Sequence, residues 1–292
     1  MRFSIFKITN MIVHSFKRSI SNLIWRAKWI KQTSNIARII KAQVLDISHQ
    51  STLILAPHAD DELIGCYSVI ISALKHRGGV ALMNYSYNDS NSDTRIIEFT
   101  NFLEKSAPTD NIIYLDHLQR IDGLFDVIDR TRPQQIYLPC FIDWHPDHRD
   151  SNIVLAKCLR QIPEYNPMIF WYQVSIPLPA KMINTFAPMT KSEYKQKWKD
   201  FSLYYPSQAN LPKYRFIQVE SVNSKAAGYK YGECFISMTS KKFQSAINLL
   251  SDKISQINNL KRYINHLDKS FAEVNKLVID NWQDLKLILT IL

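Results

Sequence analysis

Two six-residue windows concentrate the side chains that could do chemistry. Pro57-His58-Ala59-Asp60-Asp61-Glu62 and Asp143-Trp144-His145-Pro146-Asp147-His148 together hold three of the eight histidines and five of the 26 acidic residues of the chain. Imidazole and carboxylate converging on one point suit zinc or another divalent first-row metal. A single histidine is more often a hydrogen-bonded structural residue, and acids just before a helix commonly cap it and favour the positive end of its dipole. Capping accounts for Asp60 and Asp61. It leaves unexplained a histidine two positions earlier and a second His-x-x-His pair, so the windows read as a metal-centred active site.

The elements around the windows bring them together. Short apolar runs at Thr52 to Ala56, Val80 to Tyr85, Ile112 to Leu115, Gln135 to Cys140 and Met168 to Tyr172 read as strands. Leu63 to Lys75, Thr94 to Lys105, Gly123 to Arg130 and Ser151 to Gln161 read as the helices between them. This alternation predicts an α/β fold, a Rossmann-like and mainly parallel sheet sandwiched by helices, with helical extensions at both ends. Each window directly follows a strand, and loops after parallel strands share one edge of the sheet, where ligands bind. The six glycines form no GxGxxG and no GxxxxGK[ST], so the Rossmann-like pattern carries neither a dinucleotide fingerprint nor a P-loop.

The termini have a different character. Of the 36 Lys and Arg residues, nine fall in residues 1–41, which hold no acid, leaving 27 basic against 26 acidic residues in the remainder. The net charge of +10 therefore belongs to one terminal segment rather than to a folded basic face, which argues against a nucleic-acid partner. In that segment Ile5, Ile8, Ile12, Phe16, Ile20, Leu23, Ala27 and Ile30 recur at helical spacing, flanked by Trp25 and Trp29. A basic amphipathic helix of this kind suits an anionic membrane surface, and equally a face of its own domain or of a second subunit; an Arg- and Ser-rich presequence also fits. From Lys241 onward, apolar residues from Phe243 to Val278 step by three and four. They predict a long helix that covers one side of the sheet or pairs two subunits. The expected division is a basic helical extension over 1–48, a catalytic domain over 49–240 and a helical segment over 241–292. No apolar run approaches the ~20 residues of a membrane span. The four cysteines form no CxxC pair, which points to a reduced, cytoplasmic location, with the basic helix able to hold the chain peripherally on the inner face of the membrane.

His58-Ala59-Asp60-Asp61-Glu62 resembles the HPDDE signature, and His145-Pro146-Asp147-His148 the HPDH signature, of the LmbE-like, or PIG-L, de-N-acetylases. The resemblance runs from about Thr52 to Phe235. Arg95-x-x-Glu98 is similar to an R-x-x-E of that family, Tyr205-Pro206-Ser207-Gln208 to its Y-x-S-Q, and Tyr231-Gly232-Glu233-Cys234-Phe235 to its YAE-x-F. Carried over by position, the resemblance implies His58, Asp61 and His148 as ligands of Zn2+ or another divalent first-row metal, and Asp60 as general base. It implies His145, oriented by Asp147, as an imidazolium facing the developing oxyanion, and an N-acetylamino sugar of the GlcNAc type as substrate, in a glycoconjugate or glycolipid pathway. Arg95 is the candidate to grip an anionic substituent of that substrate. Ala59 replaces the usual proline at a position that contributes no ligand. Asn152 and Asp143 depart from relatives that carry histidine and tyrosine there, which bears on substrate choice rather than on metal. Two other classes stay open: a non-haem iron enzyme using the same His/Asp/His set, and a non-catalytic membrane-associated scaffold.

Overall fold

A computed structural model describes residues 41–46, 50–73, 78–83, 85, 92–105, 112–143, 145–175, 178, 182–208 and 213–251. The expected N-terminal helix and the C-terminal segment beyond Ser251 lie outside these residues.

In strand β2 (Thr52–Ala56), Leu53 and Leu55 face one core cluster while Ile54 and Ala56 face another. β5 (Gln135–Pro139) and β6 (Met168–Tyr172) divide their side chains in the same way, Ile136, Leu138, Ile169 and Trp171 to one cluster and Tyr137, Phe170 and Tyr172 to the other. Both faces of the sheet are therefore dry, which is why these strands read as continuous apolar runs rather than as alternating ones. One face is covered by α3 (Arg120–Thr131), α4 (Pro146–Arg160) and α7 (Ser240–Ser251), which contribute Leu124, Leu155 and Phe243. The other lies under α1 (Asp61–Ala73), α2 (Ser92–Glu104) and α5 (Lys191–Tyr204), which contribute Leu63, Phe99 and Phe201.

The remaining strands are β1 (Gln43–Val44), β3 (Gly78–Leu82), β4 (Ile112–Tyr114), β7 (Thr185–Pro188) and β8 (Gly232–Thr239), and α6 spans Lys213–Ala226. The eight strands run in the order β1-β7-β8-β6-β5-β2-β3-β4. All adjacent pairs are parallel except those made by β8, which is antiparallel to both β6 and β7. The α/β, mainly parallel architecture is the one expected. From β2 the chain winds outward through β3 and β4, then returns to lay β5 on the other side of β2. The connections reverse direction between β2 and β5, so a crevice opens at the carboxyl ends of those two strands.

Strands at Thr52–Ala56 and Met168–Tyr172 have the bounds expected, and the other expected elements shift by a few residues at their ends. Sequence reading did not identify β1, β7, β8, α5 and α6. For α5 a signal was present: Thr190 and Glu193 form a reciprocal capping box at its start.

Candidate metal centre

Both windows open onto that crevice. The first is the β2–α1 turn, and its geometry is unusual at Asp60, which has φ of 123°. A non-glycine residue there stores strain that its surroundings must hold. The Asp60 N–H donates to Glu62 Oε2 at 3.1 Å, and its carbonyl accepts from Ile64 N at 2.9 Å, opening α1. Glu62 in turn accepts from the Tyr205 hydroxyl in the core. Gly65, one turn on, lets the Tyr172 ring approach so closely that a Cβ would stand 2.1 Å from Cδ2. The second window is the β5–α4 turn. His145 caps α4, its Nδ1 accepting from Asp147 N at 3.3 Å, with Pro146 in the first helical turn.

The turns bring His58, His145 and His148 together, with ligand-capable atoms within 4.8 Å of one another. Asp61 Oδ2 lies 3.2 Å from His58 Nδ1 and 3.2 Å from His148 Nε2. Metal–ligand bonds of about 2.0–2.1 Å at tetrahedral angles set neighbouring ligand atoms about 3.3 Å apart, and the distances from Asp61 Oδ2 to His58 Nδ1 and to His148 Nε2 match that spacing. Behind each imidazole stands a carboxylate. His58 Nε2 is 2.8 Å from Asp147 Oδ2, and His148 Nδ1 is 3.4 Å from Asp143 Oδ1. That arrangement fixes tautomer and ring orientation in metal sites. Neither ring nitrogen of His148, which is 2% exposed, makes an aligned hydrogen bond. A buried donor–acceptor ring lacking aligned partners is a further fit to a cation.

The titratable groups are pushed in different directions. Burial disfavours charge on His58, but hydrogen bonds to Asp147 and Asp61 outweigh it and push the group up to about 9. Burial likewise opposes charge on His148, and Asp61 and Asp143 more than offset it. For Asp61, burial alone would raise the carboxyl, yet His148 and His58 hold it well below the usual carboxylate range. Asp60 behaves in the opposite way: burial, reinforced by the Asp61 and Glu62 carboxylates, holds it well above that range. Burial and the charges of His148 and His58 push His145 down to about 4.

At His145 burial and the neighbouring charges favour the neutral ring over the expected imidazolium, and Nδ1 accepts from the Asp147 amide at 3.3 Å, which favours the proton on Nε2. The Asp147 carboxylate, expected to orient His145, is 3.6 Å from His145 Nδ1 and closer to His58; its backbone N–H is what holds His145. Asp143 is 1% exposed and accepts from His145 N at 3.0 Å and Ser175 N at 2.9 Å. Asn152 is fully buried, donating to the Pro139 and His148 carbonyls and accepting from Trp171 Nε1. Both residues are buried and support the second turn from behind.

Arg95 approaches from α2. With the Gln208 amide oxygen turned toward it, that oxygen accepts from Arg95 Nη2 at 3.2 Å and Nε at 3.1 Å. Its positive charge reaches Asp60 and offsets part of the rise there. Nearby, Glu98 accepts from Ser207 N at 2.8 Å and from Ser207 Oγ at 2.5 Å. The R-x-x-E and Y-x-S-Q segments are thus one interlocked unit beside the crevice. Sequence reading did not assign Glu62 and Tyr205 to the site; Tyr205 is 143 residues from the carboxylate it bonds, and no local pattern links them.

No protein-family profile matches the sequence, and a search of curated proteins gives no match. Solved structures do match. N,N'-diacetylchitobiose deacetylase from Pyrococcus horikoshii aligns over 66% of this chain and 85% of its own, at 18% identity and a TM-score of 0.52. A conserved protein of Thermus thermophilus aligns over 65% and 94%, at 20% identity and a TM-score of 0.51. The 4-carboxy-2-hydroxymuconate hydratase of Pseudomonas putida aligns over 65% and 96%, at 15% identity and a TM-score of 0.52. The chain shares the α/β fold of these solved structures.

Proposed function

We propose that the chain is a metal-dependent de-N-acetylase acting on an N-acetylamino sugar. The observation that carries this reading is the convergence of His58, Asp61 and His148 at the edge of the sheet, with Asp61 Oδ2 3.2 Å from each imidazole and Asp60 beside it pushed toward higher proton affinity. His58, Asp61 and His148 would hold Zn2+, which when bound polarises an amide carbonyl and acidifies a water molecule. The protein's own groups then have distinct tasks. Asp60 takes the proton of the attacking water and returns it to the leaving amine, a sequence for which a carboxyl of raised proton affinity is suited. The Nε2–H of His145 donates to the oxygen that gains negative charge. Arg95, held by Gln208, is available to an anionic or hydroxyl-rich part of the substrate.

The same fold also occurs in a hydratase, so the reaction is decided by chemistry in solution. Purified protein loaded with zinc is expected to release acetate from N-acetylglucosamine, N,N'-diacetylchitobiose or another member of an N-acetylamino-sugar panel, and to stop when the metal is chelated. No acetate from any member, with uptake of iron under anaerobic loading, would favour a non-haem iron enzyme on the same His/Asp/His set.

Metal uptake should depend on pH in a definite direction. Ligand imidazoles must be neutral to bind, while the metal-free protein keeps His58 protonated up to about pH 9 and holds the His148 proton above its usual range. Protons therefore compete with metal below that pH. The apparent zinc affinity between pH 6 and 8 is expected to rise at least about tenfold per pH unit, one power of ten for each proton displaced. Competition titration against a chelating dye measures it, and a flat profile would contradict the ligand assignment.

A further inference from the structure

The hydrogen-bond ladder of α1 is broken five residues after Asp61, and a buried ion pair fills the break. Cys66 has φ of −137° and ψ of 25°, outside the helical region. In an unbroken helix Ser68 N would donate to the Ile64 carbonyl, and Tyr67 N to that of Leu63. Instead Tyr67 N donates to Glu233 Oε1 at 2.8 Å and Ser68 N to Glu233 Oε2 at 2.9 Å. The vacated Ile64 carbonyl accepts from Lys197 Nζ at 2.8 Å, and Lys197 Nζ lies 2.6 Å from Glu233 Oε1. Glu233 of β8 and Lys197 of α5 thus take the two ends of a missing backbone bond. The carboxylate faces the amides that start the second half of the helix, and the ammonium faces the carbonyl that ends the first, the signs each half-helix dipole favours.

We infer that the Lys197–Glu233 pair positions the metal-binding turn, aiming Asp60 and Asp61 independently of the rest of α1. This rests on the metal-site reading above. Three observations support it. Lys197 is 0% and Glu233 2% exposed; a buried ion pair is often replaceable by apolar side chains without loss of stability, so burial by itself does not call for charges here. The pair acts on the one helix that carries Asp61, at the break itself. The freed first turn is also located from its other side, by the Tyr172 ring against Gly65, with the Tyr172 hydroxyl donating to the Leu55 carbonyl of β2 at 2.8 Å. With both sides fixed, Asp61 Oδ2 can stay within 3.2 Å of His148 Nε2, which arrives on a separate element.

Glu220 provides an internal control. It bonds the same ammonium, Oε1 to Lys197 Nζ at 2.7 Å, and is 3% exposed. It takes no part in the α1 ladder. The test compares Glu233→Gln with Glu220→Gln, each replacing a buried carboxyl group bonded to Lys197 with an amide. The readouts are thermal stability of the metal-free protein and zinc and cobalt dissociation constants by dye competition. Both variants are expected to lose stability. Glu233→Gln alone is expected to weaken metal binding by about 10- to 100-fold, the range for outer-shell supports of metal ligands, and to alter the absorption spectrum of bound cobalt. If Glu233→Gln does not fold, Ser68→Ala, which removes a hydroxyl bond to the same carboxylate, is expected to weaken metal binding in the same direction by less. Equal shifts in the two glutamate variants, or none in Glu233→Gln or its substitute, would overturn the inference while leaving the metal site standing. Wild-type protein that binds neither metal, or binds both undiminished after His58→Ala, would overturn the metal-site reading and this inference with it.

Discussion

Asp60→Asn is expected to cut turnover by about two to four orders of magnitude, the usual contribution of a positioned general base, while bound zinc stays at the wild-type level. The substitution is nearly isosteric, and the Asp60 N–H and carbonyl that hold the strained turn to Glu62 and Ile64 are backbone groups that it leaves in place. What it removes is the group with raised proton affinity. Asp61→Asn should behave differently: it takes the charge from the one carboxylate within 3.2 Å of both His58 and His148 and so weakens metal binding itself. Metal analysis beside acetate release separates the two. Equal metal loss in both variants, or Asp60→Asn turnover within tenfold of wild type, would show the division of labour to be wrong.

His148→Ala is expected to lose most bound metal and to bring acetate release down to the uncatalysed background. The side chain is buried between Asp61 and Asp143, so its removal also takes a cation from Asp143 and leaves Asp61 with His58 alone. Breaking a buried ion pair by deleting one partner costs ~3–5 kcal/mol, and the metal-free variant should be destabilised on that order in denaturant titration. His145 supplies the contrast. If His58, Asp61 and His148 are the ligands, His145→Ala retains metal and loses about 10²- to 10³-fold in turnover, as when one oxyanion donor is removed. Metal loss in His145→Ala equal to that in His148→Ala would instead make the three imidazoles the ligand set.

Much of the centre was legible in the sequence because both windows sit directly after strands whose two faces are buried, and such strands announce themselves as apolar runs. Their common edge then follows from parallel topology. The second half of the sheet was not legible for the same physical reason in reverse. β8 carries Glu233 in the middle of the core, a charged residue that interrupts any apolar pattern, and β7 is four residues long and ends in Pro188. The direction in which His145 is pushed was not legible either, since it depends on burial and on His148 and His58 acting through space. Nor was the burial of Asp143 and Asn152 behind His148 legible. The interlock of Arg95 with Gln208 and of Glu98 with Ser207 joins segments about a hundred residues apart, a distance no local pattern spans.

The late position of β8 gives the protein a definite order of maturation. Every residue proposed to touch metal precedes residue 149, yet the Tyr67 amide donates its hydrogen bond to a carboxylate 166 residues further along the chain. As the polypeptide leaves the ribosome, the strands from β2 to β6 can pair in sequence through local crossovers, whereas α1 cannot have its ladder closed until residue 233 has emerged and β8 has inserted between β6 and β7. Such a long-range closure comes late, because loop entropy must be met before the contact forms. If Glu233 positions the metal-binding turn as inferred above, a chain halted before β8 is expected to bind metal more weakly than the chain with its sheet complete.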